Sequence, residues 1–227
     1  MPQPTNPILD SWQANARQWI ATIDGEELES RRLVTNQAIV STILKFQLHT
    51  VLDVGCGEGW LSRALNQQGI STVGVDAVPE LIANARQKGA GTYEVASYQE
   101  LIQGKPLPSA PFAGIVINFA LLDKEITEAL LPALAHYLTA QGLLFIQTLH
   151  PCMLSDRLPY RSGWRPGSWD GMKQAFTQPY DWYFRTLEDW IALFSQSGYI
   201  LKELGEPLHP ETEKPASAVF VLQRKAG

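Results

Sequence analysis

The ten residues Val51-Leu-Asp-Val-Gly-Cys-Gly-Glu-Gly-Trp60 limit what this chain can fold into more than any other stretch of it. A buried strand runs into a loop with glycines at 55, 57 and 59, and a helical pattern begins at Trp60. Glycine permits φ > 0 in such a turn and lets a ligand approach the backbone. Three nucleotide-binding loops share this outline, and the side chains choose among them. A phosphate-binding P-loop requires Gly-Lys-Ser/Thr, whereas Gly59 is followed here by Trp60 and Leu61. The dinucleotide fingerprint requires a third Gly or Ala where helix and strand pack closely, and Trp60 stands in that place. Asp53 and Glu58 flank the loop with carboxylates, which repel a pyrophosphate seated at a helix N-terminus. A ligand with a cationic centre fits this loop better.

S-adenosylmethionine (SAM), with its sulfonium and amino group, is such a ligand. The next apolar strand, Ser71-Thr-Val-Gly-Val-Asp76, ends in a carboxylate. In doubly wound folds a carboxylate at that point takes the ribose hydroxyls. SAM and NAD both carry a ribose, so Asp76 indicates a nucleoside and the loop chemistry chooses which. On Leu52-Asp-Val-Gly-Cys-Gly-Glu-Gly59 and Gly74-Val-Asp76 the chain resembles the class I SAM-dependent methyltransferases. The resemblance is strongest to their small-molecule branch, related to the ubiquinone-biosynthesis methyltransferases. In motif order it runs from residue 8 to residue 224, and it is weak in the substrate region. It implies SAM as cofactor and S-adenosylhomocysteine as product.

Four strand–helix units are predicted, at 49–54 with 60–68, 71–76 with 79–88, 92–96 with 98–103, and 114–119 with 124–138; a fifth strand covers 142–149. Apolar runs alternating with helical patterns indicate a parallel sheet covered on both faces. A helix at 187–196 and strands at 199–206 and 216–222 follow an irregular stretch, and the short connection suits an antiparallel pair at the sheet edge. The expected fold is therefore α/β, a doubly wound, mostly parallel seven-stranded sheet with an antiparallel edge strand and two N-terminal capping helices (8–21 and 26–46). The 227 residues suit one domain. It divides into a helical cap (1–47), a SAM-binding core (48–149), a substrate lid (150–186) and a C-terminal helix and strand pair (187–227).

A net charge of −5 without any Lys/Arg run argues against a nucleic-acid partner. No apolar run of about 18 residues is present to span a membrane. The start Met1-Pro-Gln-Pro-Thr-Asn-Pro7 lacks the basic and apolar parts of a leader. Cys56 and Cys152 stand in unlike contexts and suggest no disulfide. His150 lies near Cys152, but no second ligand pair accompanies them to hold a metal. A cytoplasmic protein with a small-molecule acceptor is expected, and oligomeric state leaves no signature.

The cofactor cleft should open at the carboxyl ends of the first four strands, at the topological switch. The first strand end offers Asp53, Gly55, Cys56 and Gly57, with Trp60 opening the helix, and the second offers Asp76 and Ala77. The third offers Ser97 and Tyr98, where the family carries an acidic residue against the adenine amino group; this departure leaves Ser97 and the backbone to read the ring. The fourth offers Asn118 and Phe119, with Leu122 as an apolar adenine neighbour. Plainer roles compete: Asp76 as a helix cap ahead of Pro79, Tyr98 as packing, and Cys56 as a small loop residue rather than a nucleophile. Trp12, Asn15, Trp19 and the pair Arg31-Arg32 are large or costly groups outside the sheet. The resemblance makes these helices a cap on the cleft, with Trp12 and Arg31 facing it. Arg31 then binds the SAM carboxylate by a bidentate bond, while Trp19 packs on the domain.

The stretch 150–185 shows no secondary-structure pattern and is too long for an ordinary connection. Tyr160, Trp164, Trp169, Phe176, Tyr180, Trp182, Tyr183 and Phe184 crowd into it. Such rings can enclose an apolar or aromatic substrate, although most of them serve to pack the insert on the sheet. Trp164, Trp169, Tyr183 and Arg185 are the substrate-facing candidates; pairing of an exposed Arg185 with Asp181 or Glu188 is the plainer reading. Methyl transfer from a sulfonium is an in-line displacement whose thioether leaving group needs no acid, so alignment of the acceptor dominates. A hydroxyl or amine acceptor also needs a base. His150, at the end of the fifth strand, and His209, between the last two strands, are the candidates, although a lone histidine is more often structural.

The reading reached is a SAM-dependent methyltransferase acting on oxygen or nitrogen of a small molecule, aromatic ones included. One alternative is a SAM-binding regulator without catalysis. Another is an NAD-dependent oxidoreductase, which Trp60 disfavours. Methylation of nucleic-acid bases often uses Asn-Pro-Pro-Tyr after the fourth strand, and Asn118-Phe-Ala-Leu121 keeps only the asparagine.

Overall fold

The strand ends expected above to form a cleft lie at one edge of a single sheet, whose strands are built from buried apolar residues. In the computed structural model residues 6–89, 91–154 and 159–225 are described; the first five residues of the start read above as no leader fall outside them. The strands are β1 (Thr50–Val54), β2 (Ser71–Asp76), β3 (Thr92–Val95), β4 (Phe112–Asn118), β5 (Leu138–Thr148), β6 (Gly163–Arg165), β7 (Trp182–Phe184), β8 (Tyr199–Gly205) and β9 (Ala218–Arg224). The helices are α1 (Pro7–Ala14), α2 (Ala16–Asp24), α3 (Asn36–Leu44), α4 (Trp60–Gln67), α5 (Pro79–Lys88), α6 (Tyr98–Ile102), α7 (Glu125–Leu134) and α8 (Leu187–Gln196). Seven strands form the sheet in the order β3-β2-β1-β4-β5-β9-β8. The winding reverses between β1 and β4, which leaves a crevice at their carboxyl ends. Alternate side chains feed two cores. Leu52, Ile115, Ile117 and Ile146 join residues of α6, α7 and α8, whereas Val51, Val116, Leu143 and Phe145 join those of α3 and α4.

The antiparallel strand expected at the edge is β9, and it lies one place further in, between β5 and β8. The reason is apolarity: five successive residues of β9 are buried, while β8 alternates and can tolerate a wet edge. The first N-terminal helix breaks at Asn15, whose side chain is fully buried and hydrogen-bonds backbone groups instead of facing solvent. Asn competes with helical backbone bonding in this way. The second helix resolves into a π-turn at Arg31–Thr35 followed by α3. The insert, expected to be irregular throughout, carries the short antiparallel ribbon β6–β7.

Candidate active site

The loop after β1 takes the conformation its glycines allow, with φ of 72° at Gly55, 58° at Gly57 and 82° at Gly59. A Cβ on Gly55 would lie 2.6 Å from the Tyr98 hydroxyl and 2.7 Å from Ala120 Cβ, so only glycine fits there. Gly57 is covered by Trp19, whose Nε1 lies 3.6 Å from where a Cβ would sit. Trp19, expected to pack on the domain, lies over this loop. Cys56 is buried, and burial pushes its thiol above the ordinary range. That supports the small-residue reading over a nucleophile.

Asp53 and Asp76 gather behind the same loop. Asp76 Oδ2 accepts the Gly57 N–H at 2.9 Å, and Oδ1 accepts the Val78 N–H at 2.9 Å. The capping alternative does not hold as stated, since Val78 and not Asp76 is the N-cap of α5 and its side chain makes no cap bond; Asp76 instead accepts the N–H of that cap residue across half-buried Ala77. Burial raises the Asp76 carboxyl against three lowering backbone hydrogen bonds. Asp53 accepts from Ser62 Oγ at 2.7 Å and is 1% exposed. Burial first, with the Asp76 charge a lesser cause, pushes it up to about 7. Glu58 behaves differently. Its carboxylate, also buried, turns away to Arg63 at 2.6 Å and Lys88 at 3.1 Å, so its charge is balanced. The repulsion of a pyrophosphate inferred above thus rests on Asp53 and Asp76, with Glu58 removed from the argument.

Arg31 supplies the opposite charge. Its guanidinium stacks over Trp60 at 4.9 Å and Trp19 at 5.7 Å and donates to Asn36 Oδ1 at 3.3 Å. Burial lowers it to about 10, against the raising influence of Glu58. Among the described residues no carboxylate lies within ion-pair distance of it. Trp60, which blocks a dinucleotide fingerprint, is the platform for this cation.

The third strand end departs from expectation. Ser97 caps α6 in a full capping box: its Oγ accepts the Glu100 N–H, and the Glu100 carboxylate accepts from Ser97 N and Oγ. Its hydroxyl is thereby engaged. Tyr98 packs against the main core, donates to Ala120 O at 2.9 Å, and its hydroxyl is raised by burial and by the nearby Asp76 and Asp53 charges. At the fourth strand end Phe119 holds φ of 54°, a strained value for a bulky residue and one that collects at functional sites. The Oδ1 of Asn118 is buried with no hydrogen-bond partner among the described residues. Leu122 O accepts the Tyr183 N–H at 2.8 Å, which ties the insert to this strand end.

The N-terminal helices and the insert form one cover. Asn15 Nδ2 donates to Thr177 O and its Oδ1 accepts the Thr177 N–H, both at 2.7 Å. Trp12 meets Trp169 edge-on at 5.8 Å, and Trp169 stacks on Phe176 at 4.6 Å. Trp164 is exposed and edge-on to Tyr183. Arg185, expected to be exposed, is 4% exposed and spans Tyr183 and Trp190. It pairs with Glu128 at 3.5 Å and donates to Lys124 O, so its partner is neither Asp181 nor Glu188. His150 is buried; its Nδ1 accepts the Cys152 N–H at 3.2 Å and its Nε2 lies 2.7 Å from Glu206 Oε1. Both nitrogens are occupied, so this imidazole offers no lone pair for the base role expected of it. His209 Nδ1 accepts the Glu211 N–H at 3.3 Å within its own turn. Sequence reasoning missed Gln147, a fully buried amide at the end of β5; the signal was a glutamine closing the apolar run Leu143-Leu-Phe-Ile.

Residues 51–142 match the family model of a methyltransferase domain. Over 105 residues the chain is 38% identical to the ubiquinone biosynthesis O-methyltransferase of Xylella fastidiosa, covering 44% of this chain and 42% of that protein. Over 116 residues it is 32% identical to the malonyl-(acyl-carrier protein) O-methyltransferase of Enterobacter lignolyticus, covering 51% and 43%. The matches therefore span less than half the length of either relative. The 1,6-didemethyltoxoflavin-N1-methyltransferase of Burkholderia thailandensis, solved with 1,6-didemethyltoxoflavin and S-adenosylhomocysteine, superposes with a TM-score of 0.65 at 15% identity, covering 100% of this chain and 94% of that one. An S-adenosylmethionine-dependent methyltransferase from Mesorhizobium loti superposes at 0.59 with 21% identity over 78% and 91%. At these identities the two structures establish a shared fold.

Proposed function

We propose that this chain, which belongs to the class I SAM-dependent methyltransferase family, transfers the methyl group of SAM to an oxygen or nitrogen of a small molecule. The observation that carries the reading is the charge layout of the glycine loop. Two buried carboxylates, Asp53 and Asp76, lie behind the loop, and the Arg31 guanidinium lies over Trp60 and Trp19 with no carboxylate within ion-pair distance among the described residues. A ligand with a cationic centre and a carboxylate satisfies both, whereas a pyrophosphate meets like charge at Asp53 and Asp76.

Both Asp76 oxygens accept backbone N–H groups, and a carboxylate has about four lone-pair sites, so one remains for a ribose hydroxyl. Arg31 takes the amino-acid carboxylate, with Trp60 and Trp19 holding the guanidinium plane. Gly55, Cys56 and Gly57 supply backbone, Asp53 the negative field, and Tyr98, Phe119 and Leu122 the apolar surroundings of the base. Ala77 contributes backbone, and Ser97 serves through the capping box. When bound, SAM supplies an electrophilic methyl on a sulfonium. The aromatic cover of Trp12 and Trp169, with Trp164 and Tyr183 on the ribbon, keeps the acceptor side dry and oriented. His150 braces the rim through Glu206, and Arg185 braces the insert against α7. His209, in the β8–β9 connection at the same end of the sheet, remains the candidate base.

Thermal unfolding with SAM, S-adenosylhomocysteine and NAD tests the cofactor. A ligand at 100 times its Kd stabilises the native state by about 2.7 kcal/mol. Both adenosyl ligands are expected to raise the midpoint and NAD to leave it unchanged; a rise with NAD alone sinks the proposal.

A further inference from the structure

We propose that Lys88 is a positioning residue for the cofactor, tying the N-terminal helices to the glycine loop so that the cap closes on bound SAM. This rests on the methyltransferase reading above and adds to that site a residue that acts without touching the ligand. Lys88 is the last residue of α5, and its ammonium reaches two carboxylates at once. One is Glu58 Oε2, at 3.1 Å, in the loop between Gly57 and Gly59. The other is Asp24 Oδ1, on the last residue of α2. An ammonium has three rotatable donors, which suits it to join two elements.

The loop is held without this cation. Glu58 Oε1 accepts the Trp60 N–H at 3.1 Å, and Arg63 donates to Glu58 Oε2 and to its backbone O, both at 2.6 Å. One guanidinium already balances one carboxylate. Lys88 is therefore a second cation on a paired, buried anion, and Asp24 is the carboxylate that matches it. Its place in the fold gives the arrangement its use. Five residues before Asp24, Trp19 covers Gly57; seven residues after it, Arg31 lies over Trp19 and Trp60. Both groups lie at the cofactor loop, and they flank the residue that Lys88 holds.

The other contacts between α2 and α5 hold the cap less firmly. Arg17 pairs with Glu80 at 2.7 Å, but the two side chains are 85% and 46% exposed, so water and salt screen them. Ala16, Trp19 and Ile20 pack with Val78 and Leu81, and apolar contact of this kind is non-directional. The Lys88 and Glu58 side chains, 22% and 1% exposed, are screened less. A ligand seated against the loop lies beneath Trp19, so its release requires α2 to move, and the Lys88–Asp24 link opposes that movement.

Calorimetric titration with S-adenosylhomocysteine tests this on the wild type, D24N, K88M, K88R and the double variant D24N/K88M. D24N cuts the link to the cap and leaves Glu58 with both of its cations. It is expected to raise the Kd about two- to fivefold, the ratio that one partly exposed ion pair supports, with the ligand-free Tm little changed. D24N should have no further effect once Lys88 is gone, and K88R, which keeps the charge, should retain most of the affinity that K88M loses. Wild-type affinity in D24N overturns the proposal even where K88M binds weakly, because Lys88 then serves only to balance Glu58. An effect of D24N that persists in full beside K88M overturns it too. If K88M folds poorly, D24N alone decides. Failure of S-adenosylhomocysteine to bind the wild type removes this proposal and the methyltransferase reading together.

Discussion

At the scale of single residues, the glycine loop and Asp76 show how little freedom the cofactor side has. Asp76 holds the loop through Gly57 N and the next helix through Val78 N, so its carboxylate positions backbone even before any ligand arrives. Hydrogen bonds to a charged group contribute about 1.5–3 kcal/mol each. Asp76→Ala is accordingly expected to lower SAM affinity by roughly a hundredfold or more. Calorimetry on a variant that still unfolds cooperatively checks it, and wild-type affinity would remove the ribose assignment. Gly55→Ala tests the loop from the other side. Its Cβ would overlap the Tyr98 hydroxyl and Ala120 at an φ of 72°, and a loss of about 2–4 kcal/mol is expected from strain and overpacking. Denaturant unfolding should show partial recovery in Gly55→Ala with Tyr98→Phe, which frees the hydroxyl's place; no recovery would mean that the backbone strain alone matters. These residues were legible in the sequence because their chemistry is local. Ser97 was misread although its signal was equally local: Ser97-Tyr-Gln-Glu100 is a capping box as written. The engagement of His150 was not legible, since Glu206 lies 56 residues further along the chain, beyond three strands and a helix.

Among the elements, the cover over the cleft is where sequence reasoning stopped. Helical periodicity placed helices before β1 but could not show the break at Asn15, because the partner that favours it is Thr177 in the insert. Strands of three residues, as in β6 and β7, fall below what alternation can register. The sheet, by contrast, was legible strand by strand because long apolar runs between turn signals have few other uses. Asn15 makes two hydrogen bonds to Thr177 and one to Ser11 O, all buried or partly so. Asn15→Ala removes them and leaves the Thr177 backbone unpaired, a local loss of about 1–3 kcal/mol. The expected result is faster limited proteolysis between residues 166 and 181 with little change in the global unfolding midpoint. Unchanged cleavage there would mean that the Trp12–Trp169 contact alone holds the insert down.

For the whole molecule the two carboxylates behind the loop set a pH dependence whose sign follows from burial. Asp53 titrates near 3.8 when unfolded and is pushed up to about 7 in the folded protein. Between those values the native state carries a proton that the unfolded chain has released. Stability therefore falls as pH rises through that window, by at most about 1.4 kcal/mol per pH unit for one group, and levels off above about 7. Asp76, also raised, acts in the same direction. A cation in the cleft works the other way, because it favours the ionised carboxylates and binding then expels protons. Melting curves from pH 5 to 8 should show the ligand-free protein losing stability with pH, and Asp53→Asn should flatten that slope. The stabilisation given by SAM should grow over the same range, and that given by S-adenosylhomocysteine, which lacks the sulfonium, should grow less. Equal growth for the two would place the sulfonium away from Asp53 and leave the amino group as its partner. A ligand-free curve that is flat in the wild type would mean that the buried carboxylates are already charged, held so by the backbone N–H groups that point at them.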